Sequence, residues 1–316
     1  MRLSGWDEER VQGDPRGPGG PPYSAAIRLL TPGFLTTVQD LGRYGHAHRG
    51  ISASGAADPL ALRAGNLLVG NAENAAALEM TLVGGEFEFE GAAVIALTGS
   101  DFGADLPQWT PVTVTAGQKL RLGPTKTGAR AYLCVRGGID APCTLGSASA
   151  HLLTGVGGGP LRKGDLLRVG ANAVRKPRRA ANNPPQSAHS QIIRVTDGPQ
   201  ADWFRGELYQ GAYTVAEECN RMGIRLRGAA IPSPAGGMLT EGVAMGAIQV
   251  PPDGQPIVLF VEHQTTGGYP KPANVISADF WRLGQLRPRD EARFERVDIE
   301  RALELLQQQE QWLYSL

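Results

Sequence analysis

The segment Gln264–Lys271 (QTTGGYPK) concentrates reactive groups in a short stretch of chain. An amide, Gln264, precedes two adjacent hydroxyls, Thr265 and Thr266. Gly267 and Gly268 let backbone N–H groups approach an anion, and Lys271 brings a cation for a carboxylate or phosphate. Tyr269 suits orienting a carbonyl or stacking on a ring. The same composition also describes a tight turn. Asp253, in Pro251–Gln255 (PPDGQ), stands where a proton carrier would serve, and equally where turns place Asp before Gly. Asp101 closes the Thr98–Asp101 (TGSD) end of an apolar run. It reads as a group that positions an amide nitrogen or a water, or as a turn cap. Arg136 follows another apolar run and suits clamping a carboxylate; an ion pair with Asp140 is the alternative. Arg221, in Asn220–Gly223 (NRMG), is a second anion-binding candidate. Asp40 and Arg43 share a Gly-bounded loop, where they either pair with each other or line a cleft. His46 and His48, then Ser52 and Ser54, follow. A loop histidine is an acid or base near neutral pH, or simply solvated. Gly155–Gly159 (GVGGG) reads as a phosphate cradle or, lacking a following Lys-Ser/Thr pair, as a flexible connection.

The elements that must position these groups read as mainly β. The 316 residues include 42 Gly and 23 Pro, enough for frequent turns between short strands. Gly91–Thr98, Ala129–Val135 and Pro256–Val261 are short apolar runs that suit buried strands. A turn followed by alternating residues recurs at 116–123, at 163–170 and, more weakly, at 288–294. Helices are few: Asp58–Val69, with Pro59 in the first turn and Gly70 to close it, then Gly198–Leu208 and Ser277–Leu286. Asp298–Gln309 is amphipathic, with Ile299, Ala302, Leu303 and Leu306 aligned. The basic, Pro-rich stretch 171–190 reads as a linker. We therefore expect a disordered tail over 1–26, one β subdomain over 27–170, the linker 171–190, a second β subdomain over 191–296, and a C-terminal helix over 297–316.

Composition excludes several functions. Lys+Arg and Asp+Glu are both 31, so no charge excess points to nucleic acid or an anionic membrane. No apolar run reaches membrane-spanning length, and residues 1–25 lack the apolar core of a secretory signal. The three cysteines, Cys134, Cys143 and Cys219, are widely spaced and suit reduced thiols in the cytoplasm. No P-loop, no G-x-G-x-x-G opening a helix, no H-E-x-x-H, no zinc spacing and no G-x-S-x-G elbow occurs. No Met-Lys-Met biotin-carrier tripeptide occurs either. No metal site is expected.

Four stretches carry a resemblance: Leu35–Gly42 (LTTVQDLG), continuing through Arg43 to Asp58; Ala96–Asp101 (ALTGSD); Arg130–Gly146 (RAYLCVRGGIDAPCTLG); and Glu241–Lys271, preceded by Asn220–Gly223. In this order and spacing, over about 27–296, they resemble the biotin-dependent-carboxyltransferase-like family. That family takes in the C-type subunit of 5-oxoprolinase, the second allophanate-hydrolase subunit, the Kip antagonist and the carboxyltransferase part of urea carboxylase.

The resemblance implies two cyclophilin-like β-barrel subdomains. It implies a partner chain similar to the Kip inhibitor, the B-type subunit of 5-oxoprolinase, and a third oxoprolinase subunit. The implied reaction is ATP-dependent opening of 5-oxo-L-proline to L-glutamate, with ATP and Mg²⁺ as cosubstrate. Biotin enters only under the alternative of carboxyl transfer from another protein to a urea-like acceptor. A second alternative is a regulator that binds a kinase-inhibitor-like partner. We expect Lys271, Tyr269, Thr265, Thr266, Asp101 and Asp253 to carry the chemistry. Gln264, Gly267, Gly268, Arg136, Arg221 and Asp40 are expected to bind substrate. The sequence departs from the family pattern in three places: Cys219-Asn220 where Ser-Asp is usual, Ala148–Ala150 where Arg-Ser-Thr is usual, and Glu262-His263 where Asp-Arg is frequent.

Overall fold

The computed structural model describes residues 25–171, 173–185, 190–233 and 238–316, so the tail expected over 1–26 lies almost wholly outside the described residues. The expected mainly-β fold with few helices is what the chain adopts. Its first part holds two antiparallel sheets. The four-stranded sheet runs in the order Lys119–Arg121, Glu86–Phe89, Ala26–Thr31, Leu166–Arg168. The five-stranded sheet runs in the order Leu35–Gln39, Ala77–Thr81, Arg130–Val135, Ala93–Gly99, Val112–Val114. Ile27, Leu29, Phe87 and Phe89 from one meet Val38, Leu78, Ile95 and Leu133 from the other in a shared core. Helix α1 (Pro59–Val69) covers the opposite face of the five-stranded sheet, against Ala96, Tyr132 and Cys134. With both faces buried, its inner strands need no polar alternation, which is why they read as continuous apolar runs.

The turn pattern seen at 116–123 and 163–170 feeds strands Lys119–Arg121 and Leu166–Arg168, the two edges of the four-stranded sheet. Gly117 and Gly164 both have left-handed φ at these turns. The third instance enters Glu291–Arg296, a strand of the second part. That part is a closed seven-stranded barrel in the order Ser190–Asp197, Ala273–Val275, Ala247–Gln249, Ile257–Leu259, Gly223–Arg227, Ala212–Val215, Glu291–Arg296. The last strand closes the ring by pairing parallel with the first.

Helix α1 begins as its sequence requires: Asp58 accepts from the Ala61 N–H at 2.8 Å, Pro59 opens the first turn, and Gly70 ends it at φ +82°. The Gly198–Leu208 candidate is not a helix. It holds two 3₁₀ turns, Ala201–Trp203 and Glu207–Tyr209, separated by Gly206 at φ +91°, a conformation that breaks helical continuity. Ser277–Leu286 contains one 3₁₀ turn and helix α2 (Phe280–Gln285). Helix α3 (Ile299–Ser315) runs past Gln309, and the face it buries shares Ala302 and Leu306 with the one read from sequence but not Ile299 and Leu303. Ile299 and Leu303 are exposed, whereas Leu305 and Leu313 are buried. The reason lies in its far end. Trp312 packs edge-on against Trp109 at 6.1 Å, and Glu310 ion-pairs with Arg63 of α1 at 2.6 Å.

The segment between the two parts is held down along its described length. Val174 and Arg175 N–H groups donate to Gly70 O, Arg178 N–H to Leu68 O, and Ala181 N–H to Trp109 O. Helices α1 and α2 meet where the parts join, and Gly284 permits it: a Cβ there would lie 2.1 Å from the Ala57 carbonyl oxygen. Gly284→Ala should therefore push the parts aside and destabilise the fold by about 1–3 kcal/mol. Urea or thermal denaturation measures the loss; an unchanged midpoint would refute this account of the contact.

Candidate functional site

Gln264–Lys271 is anchored at both ends by buried polar contacts. Strand Thr266–Gly267 pairs antiparallel with Glu241–Gly242. Lys271 is buried, and its Nζ lies 2.5 Å from Glu241 Oε1 and 3.2 Å from Tyr269 O. Gln200 braces both ends of that pair: its Oε1 accepts from the Lys271 backbone N–H, and its Nε2 donates to Glu241 Oε1 at 3.2 Å. Hydrogen bonds from Lys271, then Gln200, hold the Glu241 carboxyl below the usual carboxylate range. An incoming anion at Lys271 therefore competes with Glu241.

Upstream, Gln264 Nε2 donates to Gln249 Oε1 at 3.2 Å. Gln249 is buried, and its Nε2 has no partner among the described residues. Gly267 makes room for it, since a Cβ there would sit 2.4 Å from that nitrogen. The glycine is required by this close approach, not by a left-handed φ. Thr265 is half-buried, Thr266 exposed, and Tyr269 44 % exposed. Gln200, Glu241 and Gln249 thus belong to the same cluster, although sequence reasoning singled out only 264–271.

The remaining candidates lie elsewhere. Arg221 is buried where the two parts meet. Its Nη1 donates to Glu79 Oε1 at 2.7 Å, its Nε to Glu262, and its Nη2 to Gly55 O. Burial works to lower its pKa, but Glu79 and Glu262 outweigh this and raise it. The anions it binds are therefore two carboxylates of its own chain. Glu262 also accepts from Ser54 Oγ at 3.3 Å and from the Leu152 N–H at 3.1 Å. Glu79 Oε2 accepts from Tyr132 Oη at 2.7 Å and from the Ala57 N–H at 2.8 Å. Glu262 stands two residues before Gln264, so this network fixes one end of the loop.

Asp40 does not pair with Arg43. Its carboxylate accepts from Ser147 Oγ, the Ala148 N–H, Ser149 Oγ and the Gly42 N–H, all within 2.8 Å. Arg136 donates to Val69 O at 2.9 Å and Arg175 O at 2.6 Å, closing the end of α1. Asp253 caps its own turn, accepting from the Gln255 N–H at 3.0 Å. Asp101 pairs with Lys126 at 2.8 Å on the rim of a cleft of about 260 Å³. Asp58, Ser100, Trp109, Trp281 and Gln285 line that cleft. Burial pushes the Asp58 carboxyl up to about 6, against hydrogen bonds from Ala61 and Gln285.

Glu79, Glu262 and Tyr132 were not among the sequence candidates. A signal for both acids exists: Glu79 interrupts an otherwise apolar strand (ALEMT), and Glu262 ends the run PIVLFV. A charged residue inside a buried strand must be paired. Removing the cation by Arg221→Ala leaves two buried carboxylates uncompensated. It should cost about 3–5 kcal/mol in urea denaturation; a loss below about 1 kcal/mol would mean that the carboxylates find water or other partners.

Comparison with known proteins places this geometry. Residues 49–296 match the family model described as carboxyltransferase domain, subdomain A and B. The chain is 39% identical over 303 residues to the C-type subunit of 5-oxoprolinase from Escherichia coli (strain K12), covering 92% of this chain and 97% of that protein. It is 37% identical to the corresponding 5-oxoprolinase subunit of Haemophilus influenzae, over 91% of this chain and 96% of that one. Among solved structures, the K. lactis urea amidolyase matches with a TM-score of 0.84 and 30% identity over 91% of this chain. The chain spans about a fifth of that larger protein, 20% of its length.

Proposed function

The chain belongs to the carboxyltransferase subdomain A-and-B family, and from that premise we propose that it is the C-type subunit of an ATP-dependent 5-oxoprolinase. It would open 5-oxo-L-proline to L-glutamate in the cytoplasm, together with a Kip-inhibitor-like B-type subunit and a third subunit. The observation that carries this reading is the end-to-end likeness to freestanding relatives that bear the name of a 5-oxoprolinase subunit. The likeness to urea amidolyase, by contrast, takes in only a fraction of that chain.

A lactam is a resonance-stabilised amide, so its carbon resists water. Phosphorylation of the carbonyl oxygen by ATP supplies the activation. The groups required of the protein are an anion-binding cation and donors for the developing oxyanion. Lys271 meets the first need, with Glu241 as the counter-ion that substrate displaces. Gln249 Nε2, beside Gly267 and without a partner among the described residues, meets the second. ATP, with its Mg²⁺, is cosubstrate of the assembled complex.

Likeness to urea amidolyase favours one other reading: carboxyl transfer from biotin on another protein to a urea-like acceptor. Co-expression with the B-type and third subunits, followed by ATP-dependent glutamate release from 5-oxoproline, separates the two. Release should fall at least ~100-fold in Lys271→Ala and in Gln249→Leu, with the complex intact. A stable complex with no release would overturn the oxoprolinase reading and favour carboxyl transfer or a regulatory role.

A further inference from the structure

The groups assigned to lactam opening leave the cleft of about 260 Å³ at the junction unused. Its walls come from both parts and from the segment between them. Asp58 and Trp109 belong to the first part, Trp281 and Gln285 to helix α2, and Pro184 and Pro185 to the intervening segment. Small molecules bind preferentially in clefts between structural units. Trp281 and Gln285 are four residues apart, so one face of α2 presents both. Trp109 is held at φ +56°, a left-handed conformation that is costly for a bulky side chain. Its backbone is pinned there on both sides: the Trp109 N–H donates to Leu97 O at 2.7 Å, and its carbonyl accepts from the Ala181 N–H at 2.8 Å.

Asp58 is buried, yet it lines this cleft. Its carboxylate accepts from the Ala61 N–H at 2.8 Å and from Gln285 Nε2 at 2.7 Å. Neither donor carries a charge. Burial is the largest influence on the carboxyl and raises its pKa, the two hydrogen bonds lower it, and the charge of Glu79 raises it again. No cation among the described residues acts on it. Each carboxylate oxygen has room for a second donor. Asp101, the other acid of the wall, is already paired with Lys126 at 2.8 Å. The uncompensated charge is therefore that of Asp58, and no Lys or Arg among the described residues lines the cleft.

We propose that this cleft binds a small organic ammonium ion, with Asp58 as its counter-ion and the indoles of Trp109 and Trp281 as its walls. Indole is the best aromatic partner for a weakly hydrated cation, and removal from water strengthens the attraction. Hard metal ions are a poorer fit, since they want about six oxygen ligands and the cleft offers one uncompensated carboxylate. An anion would meet Asp58 with no basic side chain to receive it. Trp281 already attracts a cation: the Arg282 guanidinium stacks 4.6 Å from its ring centroid. That cation is paired with Asp279 at 3.1 Å, which leaves Asp58 for a ligand. The site goes beyond the oxoprolinase reading, because none of its lining residues belongs to the Gln264–Lys271 cluster.

The test titrates the full chain, labelled with ¹⁵N-tryptophan, with choline and separately with 3,3-dimethylbutan-1-ol, which has the same shape but carbon in place of the charged nitrogen. The indole N–H signals of the 5 tryptophans are read by NMR. Choline should move the Trp109 and Trp281 signals saturably and leave Trp203, which is exposed and outside the cleft, in place. The neutral alcohol should need at least ~10-fold higher concentration for the same shift. Asp58→Asn, which keeps a capping oxygen for α1, should weaken choline at least ~10-fold and leave the alcohol unchanged. Equal potency of the two probes, no saturable shift at Trp109 and Trp281, or an Asp58→Asn chain that binds choline as the wild type does would overturn the proposal. The comparison of probes is made on wild-type protein and decides the matter even if the variant fails to fold. Because the titration omits ATP and 5-oxoproline, its outcome is separate from that of glutamate release.

Discussion

Arg221 meets two carboxylates and a backbone carbonyl where the two parts of the molecule join, and the rest of the structure depends on that junction. Taking three charged groups out of water costs several kcal/mol each, which only near-ideal geometry offsets. Glu79 and Gly55 come from the first part, Arg221 and Glu262 from the barrel. The remaining oxygens of the two acids are filled by Tyr132, Ala57, Ser54 and Leu152. Any sliding of one part over the other would strand a buried charge. The junction is therefore held in one register, and the Glu262–Lys271 segment starts from a fixed point.

The same economy recurs at Asp40 and Gln285. Asp40 gathers Gly42, Ser147, Ala148 and Ser149 around one carboxylate. Position 148 contributes only its backbone N–H, and its methyl packs into the core. The departure from the family pattern there leaves this anchor whole. Gln285 accepts from Ser100 Oγ and from the Ala129 and Arg130 N–H groups, and donates to Asp58 Oδ2 at 2.7 Å. One amide thus ties the barrel's helix to the cap of α1 and to the end of a strand. Asn220, another departure, accepts from the Met222 N–H at 2.8 Å and shapes the turn that delivers Arg221.

Local order was legible in the sequence because local physics sets it. Apolar runs bounded by Gly gave the inner strands, and Asp58, Pro59 and Gly70 marked both ends of α1. Where tertiary partners decide, legibility ended. The buried face of α3 is turned by Trp109 and Arg63, far away in sequence, so the periodicity placed Ala302 and Leu306 against the core but set Ile299 and Leu303 on it wrongly. Arg221 looked like a ligand for an outside anion because Glu79 is 142 residues away. Asp58 and Trp281 carry no spacing signal at all; only folding brings them to one cleft. Resemblance picked out Gln264–Lys271, but Glu241, Gln200 and Gln249 entered the cluster through pairing of strands.

Parallel closure of the barrel has a consequence for how the chain is made. Strand Ser190–Asp197 has its closing neighbour, Glu291–Arg296, about a hundred residues downstream. The sheets of the first part have all their strands by Arg168. On a ribosome, the first part can therefore condense while the barrel stays open, its opening strand unpaired on one edge until Glu291–Arg296 has been made. Even then the first part remains unfinished: Trp109 and Arg63 wait for Trp312 and Glu310, which follow the barrel's last strand. The last turns of α3 thus act as a latch that both parts acquire together.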